Sequence, residues 1–139
     1  MQRTRSRALT TASLAFVAAN VAHTLDHLRQ GTSGLSTEIL AGGGVLSVLA
    51  VATLVFVWRG DRRAPLIATV VGLWSAAGVA ASHIAPHWSA FSDSYPEIHA
   101  DALSWVVMLA EVVAAAALGL VGLRELRRQP AGRPAAARA

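Results

Sequence analysis

Apolar residues fill four long stretches of this chain, and short polar connections separate them. The stretches cover residues 8–28, 36–58, 64–85 and 97–123. Each reaches the length of about 20 residues that a helix needs to cross a hydrocarbon layer about 30 Å thick. Inside lipid the backbone must satisfy its own hydrogen bonds, and the chain carries few strand signals. The pattern therefore predicts an all-α fold, an integral membrane four-helix bundle.

Glycine and proline mark several of the predicted helix ends. Gly31 and Gly34 follow the first helix, and Gly60 follows the second. Pro65 suits the first turn of the third helix, where its missing N–H costs nothing. The segment Ser94–Glu97 resembles a capping box, in which the serine and the glutamate satisfy free backbone N–H groups. It predicts that the fourth helix starts there.

The two ends of the chain differ from its middle. The first arginines, a short apolar run and the segment Val17–Ala19 also fit a signal peptide with a cleavage site. We favour a retained first helix, because the apolar run continues to His23. The membrane domain then covers residues 1–128. Residues 129–139, rich in Pro, Ala, Gly and Arg, are predicted to form a disordered cytoplasmic tail.

All twelve basic residues are arginines, and nearly all of them lie on one side of the predicted topology. Three precede the first helix, three join the second helix to the third, and five follow the fourth. These are Arg3, Arg5, Arg7, Arg59, Arg62, Arg63, Arg124, Arg127, Arg128, Arg133 and Arg138. Only Arg29 lies on the other side. Since arginine-rich loops stay in the cytoplasm, we predict cytoplasmic termini in a multi-pass protein of the plasma or inner membrane.

The composition excludes several other classes of protein. Apolar residues make up 54% of the chain and charged residues only 14%, whereas about a quarter of a soluble domain is charged. The chain has no cysteine, which excludes disulfides, thiolate zinc sites and a cysteine nucleophile. The arginines flank apolar runs instead of forming a basic face, so we expect the lipid bilayer and no nucleic acid as a partner.

The histidines show the clearest functional pattern. All five lie at or near the predicted outer membrane boundary: His23, His27, His83, His87 and His99. His23 and His27 are four residues apart and share one helix face, and His83 and His87 repeat this spacing around Pro86. Neutral imidazole suits zinc, copper and iron, and carboxylates complete such sites. We predict a transition metal site formed by His23, His27, His83, His87 and Asp101, against the alternative of purely structural polar contacts.

Carboxylates near this site are the candidate catalytic groups, namely Asp26, Asp101 and Glu111. Five residues of the fourth helix are predicted to share one face: Glu97, Asp101, Ser104, Met108 and Glu111. Glu111 lies roughly 15 Å below Asp101 at helical rise, which predicts a second, deeper polar layer. Three serines are expected at its depth: Ser13, Ser47 and Ser75. Glu111 would either relay protons or form hydrogen bonds with these serines.

Small residues predict where helices approach each other closely. Gly43 and Ser47 would allow a close neighbour on the second helix, and the triplet Gly42–Gly44 could also make room near the outer site. Gly72, Ala76 and Ala80 form a ridge of small residues on the third helix. Such ridges let helix backbones pack closely within a membrane.

These features predict a small membrane protein whose outward-facing histidine and carboxylate site binds a transition metal, for catalysis or metal handling. In residue types alone the donor set is similar to that of intramembrane zinc hydrolases of the ceramidase type, while helix count and motif order differ. Two alternatives stay open. One is a non-catalytic accessory subunit of a larger membrane complex, and the other is an oligomeric proton-coupled transporter or channel. Whether the protein is an enzyme is left open too.

Overall fold

The computed structural model describes residues 6–129, and all regular structure within that range is helical. Four long helices and one short helix follow each other along the chain. They are α1 (Arg7–Gln30), α2 (Thr37–Trp58), α3 (Ala64–His83), α4 (Tyr95–Ile98) and α5 (Ala102–Arg127). The all-α prediction is confirmed. The predicted tail lies outside the described residues, apart from Gln129.

Four of the helices, α1, α2, α3 and α5, are long and apolar enough to cross a membrane. Many large apolar side chains on them face outward, such as Val48, Trp74 and Val113, which are 69%, 76% and 66% exposed. A soluble protein rarely exposes so much contiguous apolar surface. These outer surfaces suit contact with lipid chains.

Polar caps begin three of the long helices. The side chains of Ser6 and Ser36 accept hydrogen bonds from backbone N–H groups one turn into α1 and α2. Asp101 does the same at α5, accepting from the N–H of Ser104. Such caps satisfy N–H groups that the helix itself leaves free. At the other end of α1, Gly31 has a φ of 91°, a backbone conformation that favours glycine.

The fourth spanning helix begins at Ala102, five residues later than the sequence predicts. Ser94 precedes the short helix α4, and its side chain makes no capping hydrogen bond. Glu97 instead accepts a hydrogen bond of 2.9 Å from the backbone N–H of His87. His99 then adopts a left-handed conformation with a φ of 52°, which separates α4 from α5. Glu97 therefore does not share a helix face with Asp101, contrary to the prediction.

The closest helix packing joins α3 to α5, and glycines make it possible. A Cβ atom on Gly72 of α3 would lie 2.6 Å from the carbonyl oxygen of Ala115 and 2.8 Å from the Cα of Gly119. A Cβ on Gly122 would lie 2.7 Å from the backbone nitrogen of Thr69. The two backbones thus touch directly, as small residues permit within membranes. The predicted ridge that starts at Gly72 is a packing surface.

Helix α2 packs much more loosely than the other long helices. Its buried residues are Ala50, Thr53 and Val57, all in its second half. In its first half, a Cβ on Gly43 or Gly44 would meet nothing within 4 Å. These glycines therefore do not bring a neighbouring helix close, and they border open space instead.

The two ends of the helices differ in charge. At one end, called here the arginine end, lie Arg7, the α2–α3 connection and the last turn of α5. Ser6 donates a 3.0 Å hydrogen bond to Glu125 there, so the start of α1 lies beside the end of α5. At the opposite end, called the histidine end, Arg29 pairs with Asp26 at 2.7 Å and with Asp101 at 2.8 Å. Helices α1 and α5 are therefore antiparallel.

We expect Gly72→Ala to lower the free energy of unfolding by about 1–3 kcal/mol, because overpacking at a backbone contact forces the helices apart. The matched control is Gly43→Ala, whose added methyl group meets open space. Since alanine favours helix, the control should be neutral or more stable by up to about 1 kcal/mol. Denaturation in mixed detergent micelles, followed by circular dichroism, measures both. Equal stability of the two variants would contradict the packing described above.

Candidate functional site

Three histidines from two helices meet at the histidine end. His23 and His27 lie one turn apart on α1, and His83 is the last residue of α3. The ring centres of His23 and His27 are 4.7 Å apart, and His83 lies 4.9 Å from the first and 5.3 Å from the second. His23 and His83 are buried, and His27 is half-buried. The HxxxH spacing on the first helix therefore does place both rings in one cluster.

The loop after α3 orients His83. The Nδ1 atom of His83 lies 3.1 Å from the backbone oxygen of Asp93. A carbonyl oxygen only accepts hydrogen bonds, so Nδ1 carries the proton and Nε2 keeps a free lone pair. The backbone N–H of Asp93 in turn donates to the carbonyl oxygen of Ser82 at 2.9 Å. The loop is thus fastened to the end of α3, and it fixes which histidine nitrogen is available.

A buried carboxylate orients His23 in the same way. The Nδ1 atom of His23 forms a short contact with Oε2 of Glu111, whose other oxygen accepts a 2.9 Å hydrogen bond from Asn20. The tautomer of His23 with its proton on Nδ1 would donate to this oxygen and keep a lone pair on Nε2. That Nε2 lies 3.2 Å from the hydroxyl of Tyr95. A carboxylate behind a histidine is the usual arrangement that supports a metal-binding imidazole.

Asp93 lies beside the other two histidines with one oxygen unsatisfied. Its Oδ2 is 3.6 Å from Nδ1 of His83 and 3.8 Å from Nδ1 of His27. This oxygen is buried and has no hydrogen-bond partner. Burial raises the pKa of the Asp93 carboxyl, because the charged form loses its water shell. A buried polar atom without a partner costs free energy, so this oxygen marks a place where a positive charge or a proton would be favourable.

The cluster has the donors of a metal centre. One ring nitrogen from each histidine can be chosen so that all three lie within 4.8 Å of one another. Zinc binds histidine nitrogens at about 2.0–2.1 Å in tetrahedral geometry, which puts the ligand atoms roughly 3.4 Å apart. A bound metal would therefore draw the three nitrogens closer together than they lie here. Three such ligands leave one coordination position open.

Two of the predicted ligands lie apart from this cluster. His87 follows the end of α3, and its side chain is exposed. Asp101 caps α5 and pairs with Arg29. Hydrogen bonds from the backbone and side chain of Ser104, and then the neighbouring Arg29, lower the pKa of the Asp101 carboxyl. His99 is also exposed and sits at the break between α4 and α5.

The candidate catalytic residue Asp26 is buried and fully engaged. Its two carboxylate oxygens accept hydrogen bonds of 2.7 Å from Arg29 and 2.7 Å from Gln30. Because Arg29 also contacts Asp101 and Ser104 on α5, these groups hold the end of α1 against the start of α5. In this structure Asp26 serves that connection and does not touch the histidines.

Glu111 does not belong to a separate, deeper layer, contrary to the prediction. It contacts His23, which lies seven residues before the end of α1, about 10 Å inside the helix end at helical rise. Two of the three predicted serine partners are engaged elsewhere, since Ser13 and Ser47 donate to carbonyl oxygens of their own helices. The prediction treated all histidines as lying at the membrane boundary. His23 instead lies inside the span, at the same depth as Glu111.

Sequence reasoning missed three residues of the site. Asp93 is not among the predicted site residues, and Tyr95 enters the prediction only as part of the segment Ser94–Glu97. Asn20 is not among them either, although it donates a hydrogen bond to Glu111. The one available signal was the spacing from Asn20 to His23, which puts two polar side chains on one face inside an apolar helix. Nothing in the sequence fixes where the loop places Asp93 and Tyr95.

A cavity of about 500 Å³ opens beside the histidines, between α1, α2 and α3. His23, His27, His83 and Glu111 border one part of it. Most of the remaining wall is apolar or glycine, including the segment Gly42–Leu46 of α2. The volume is that of a typical small-molecule site.

Comparison with known proteins gives no family for this chain. No protein-family model, curated protein or solved structure matches the chain.

We expect Glu111→Ala to destabilise the protein by about 3–5 kcal/mol, because it leaves His23 and Asn20 buried without their partner. The control is Glu38→Ala, which removes an exposed acid from the first turn of α2 and should cost less than about 1 kcal/mol. Denaturation in mixed micelles measures both variants. If the two proved equally stable, the contact between Glu111 and His23 would not be a stabilising part of the fold.

Proposed function

We propose that this protein is a small membrane protein that binds one transition metal ion through His23, His27 and His83. The observation that carries the proposal is the convergence of three imidazoles from two helices within 4.8 Å. Zinc, copper and iron all accept imidazole ligands. Binding of any of them would draw the three rings closer around the ion.

The surroundings of the rings support a metal over purely structural contacts. His23 and His83 both have Nδ1 beside an oxygen acceptor, so the metal would bind their Nε2 atoms. For His23, the ion would replace the Tyr95 hydroxyl that lies 3.2 Å from Nε2. The unpartnered oxygen of Asp93 would be stabilised by a nearby positive ion. In a structural cluster, this buried oxygen would be expected to have a donor.

The open coordination position suits either catalysis or metal handling. A metal held by three histidines can bind water, lower its pKa and make it a nucleophile near neutral pH. Tyr95 lies beside His23, and Asp93 lies beside His83 and His27, so both would be close to a metal held by these histidines. The Tyr95 hydroxyl, whose pKa burial raises, stays protonated and can donate a hydrogen bond. Asp93 can accept one.

We further propose that the histidine end faces outward. Within residues 6–129, seven arginines lie at the arginine end: Arg7, Arg59, Arg62, Arg63, Arg124, Arg127 and Arg128. Only Arg29 lies at the histidine end. The positive-inside rule then supports cytoplasmic termini and a site open to the outer side. The remaining arginines, in residues 1–5 and 130–139, lie outside the described part of the chain.

Elemental analysis of the purified protein tests the metal. We expect about one equivalent of zinc, copper or iron per chain, as in other three-histidine sites. The double variant His23→Ala/His83→Ala should lose it. The matched control His87→Ala/His99→Ala removes two exposed histidines at the same end and should keep it.

No metal in the wild-type protein, even after reconstitution with each ion, would overturn the proposal. So would equal metal loss in both double variants, since the three-histidine cluster would then not be the site. In the first case, the accessory-subunit and transporter alternatives would become the functions to test.

A further inference from the structure

The cavity beside the histidines has one polar end, and the rest of it is mainly apolar. At its polar end lie the three histidines and Glu111. Away from them the walls are mainly apolar, with Leu46, Leu49, Trp74 and Val79 among the lining residues. Among residues 6–129, no arginine lines the cavity, and Glu111 is the only acid that does. Such a lining suits a molecule with one polar end and a long apolar part.

The apolar part of the cavity opens sideways, at the middle of the helices. Val45 and Leu49 of α2 and Trp74 and Gly78 of α3 all line it, and all four are exposed. Val45, Leu49 and Trp74 lie at least eight residues from the nearer end of their helix, about 12 Å at helical rise. Gly78 lies five residues from the end of α3. In a membrane, hydrocarbon chains surround that depth. The side opening between α2 and α3 therefore faces lipid, which supplies the molecules able to enter.

Glycines on α2 keep this cavity open. Gly43 and Gly44 line it, and a Cβ on either would meet nothing within 4 Å. Glycine in a helix costs about 1 kcal/mol relative to alanine, so two adjacent glycines facing empty space weaken α2 without improving its packing. Room for a ligand is the feature of this structure that they provide.

We propose that this cavity binds a single-chain amphiphile, with its chain between α2 and α3 and an oxygen-bearing head at the histidines. A volume of about 500 Å³ lies in the range of sites that bind one small molecule, which suits an amphiphile with a single chain. The position of the head rests on the proposed function, since a metal with an open position binds oxygen ligands. The position of the chain depends on the cavity alone.

Photolabelling in lipid vesicles tests the position of the chain. The probe is a palmitic acid that carries a diazirine in its chain, and mass spectrometry locates the labelled peptides. We expect labels on the α2 and α3 segments that line the cavity, and competition by unlabelled palmitic acid. Gly43→Leu/Gly44→Leu fills the cavity and should reduce labelling severalfold. The control Ala41→Leu adds the same side chain at an exposed α2 position outside the cavity and should not.

Measuring metal content in the same variants separates the two proposals. Loss of labelling with metal retained supports the amphiphile site. Labelling that is unchanged in the glycine variant, or equally reduced by Ala41→Leu, overturns it. If the wild-type protein holds no metal but its labelling still depends on the glycines, the chain site stands and the metal proposal fails.

A second probe tests the head. A palmityl chain with the same diazirine and a trimethylammonium head has no oxygen to offer a metal. In the metal-loaded protein, the acid should compete with the photoprobe at severalfold lower concentration than the ammonium compound. Equal competition would overturn the assignment of the head to the histidine centre and leave only the chain site.

Discussion

The buried contact between Glu111 and His23 is the constraint on which the rest of this structure depends. A carboxylate inside an apolar helix is costly unless other polar groups satisfy it, and here Asn20 and His23 do so. Both partners lie on α1, so the contact holds α1 against α5 at a fixed rotation. That rotation brings His27 to the same cluster. Because α5 also packs closely on α3 through Gly72 and Gly119, the His83 at the end of α3 completes the cluster.

The sequence predicts the helices of this protein well, and their assembly only in part. Hydropathy and length are local properties of a segment, so the sequence predicts all four spanning helices. Helix α5 starts later than predicted because His99 adopts a left-handed conformation. The pairing of His23 with His27 was also predictable, since spacing along one helix fixes it. The roles of Asp93 and Tyr95 depend on how the connection after α3 folds back. The local sequence pattern does not predict the path of this connection.

The glycines also show how far sequence alone can predict helix packing. Gly72 and the triplet at Gly42–Gly44 look alike in the sequence, because both are small residues in apolar helices. In the structure, Gly72 touches the backbone of α5, whereas Gly43 and Gly44 border open space. A small residue allows a close approach but does not require one. Only the positions of the neighbouring helices distinguish a packing glycine from one that leaves a cavity.

The loose packing of α2 has a consequence for how a site within a membrane can be reached. All three histidines, their carboxylates and Tyr95 come from α1, α3, α5 and the segment between α3 and α5. Helix α2 supplies none of them and forms one wall of the cavity. Helices α1, α3 and α5 thus position the histidine cluster, whereas α2 borders the entrance to the cavity beside it. A tilt of α2 would widen or narrow the entrance of the cavity while the three histidines keep their positions.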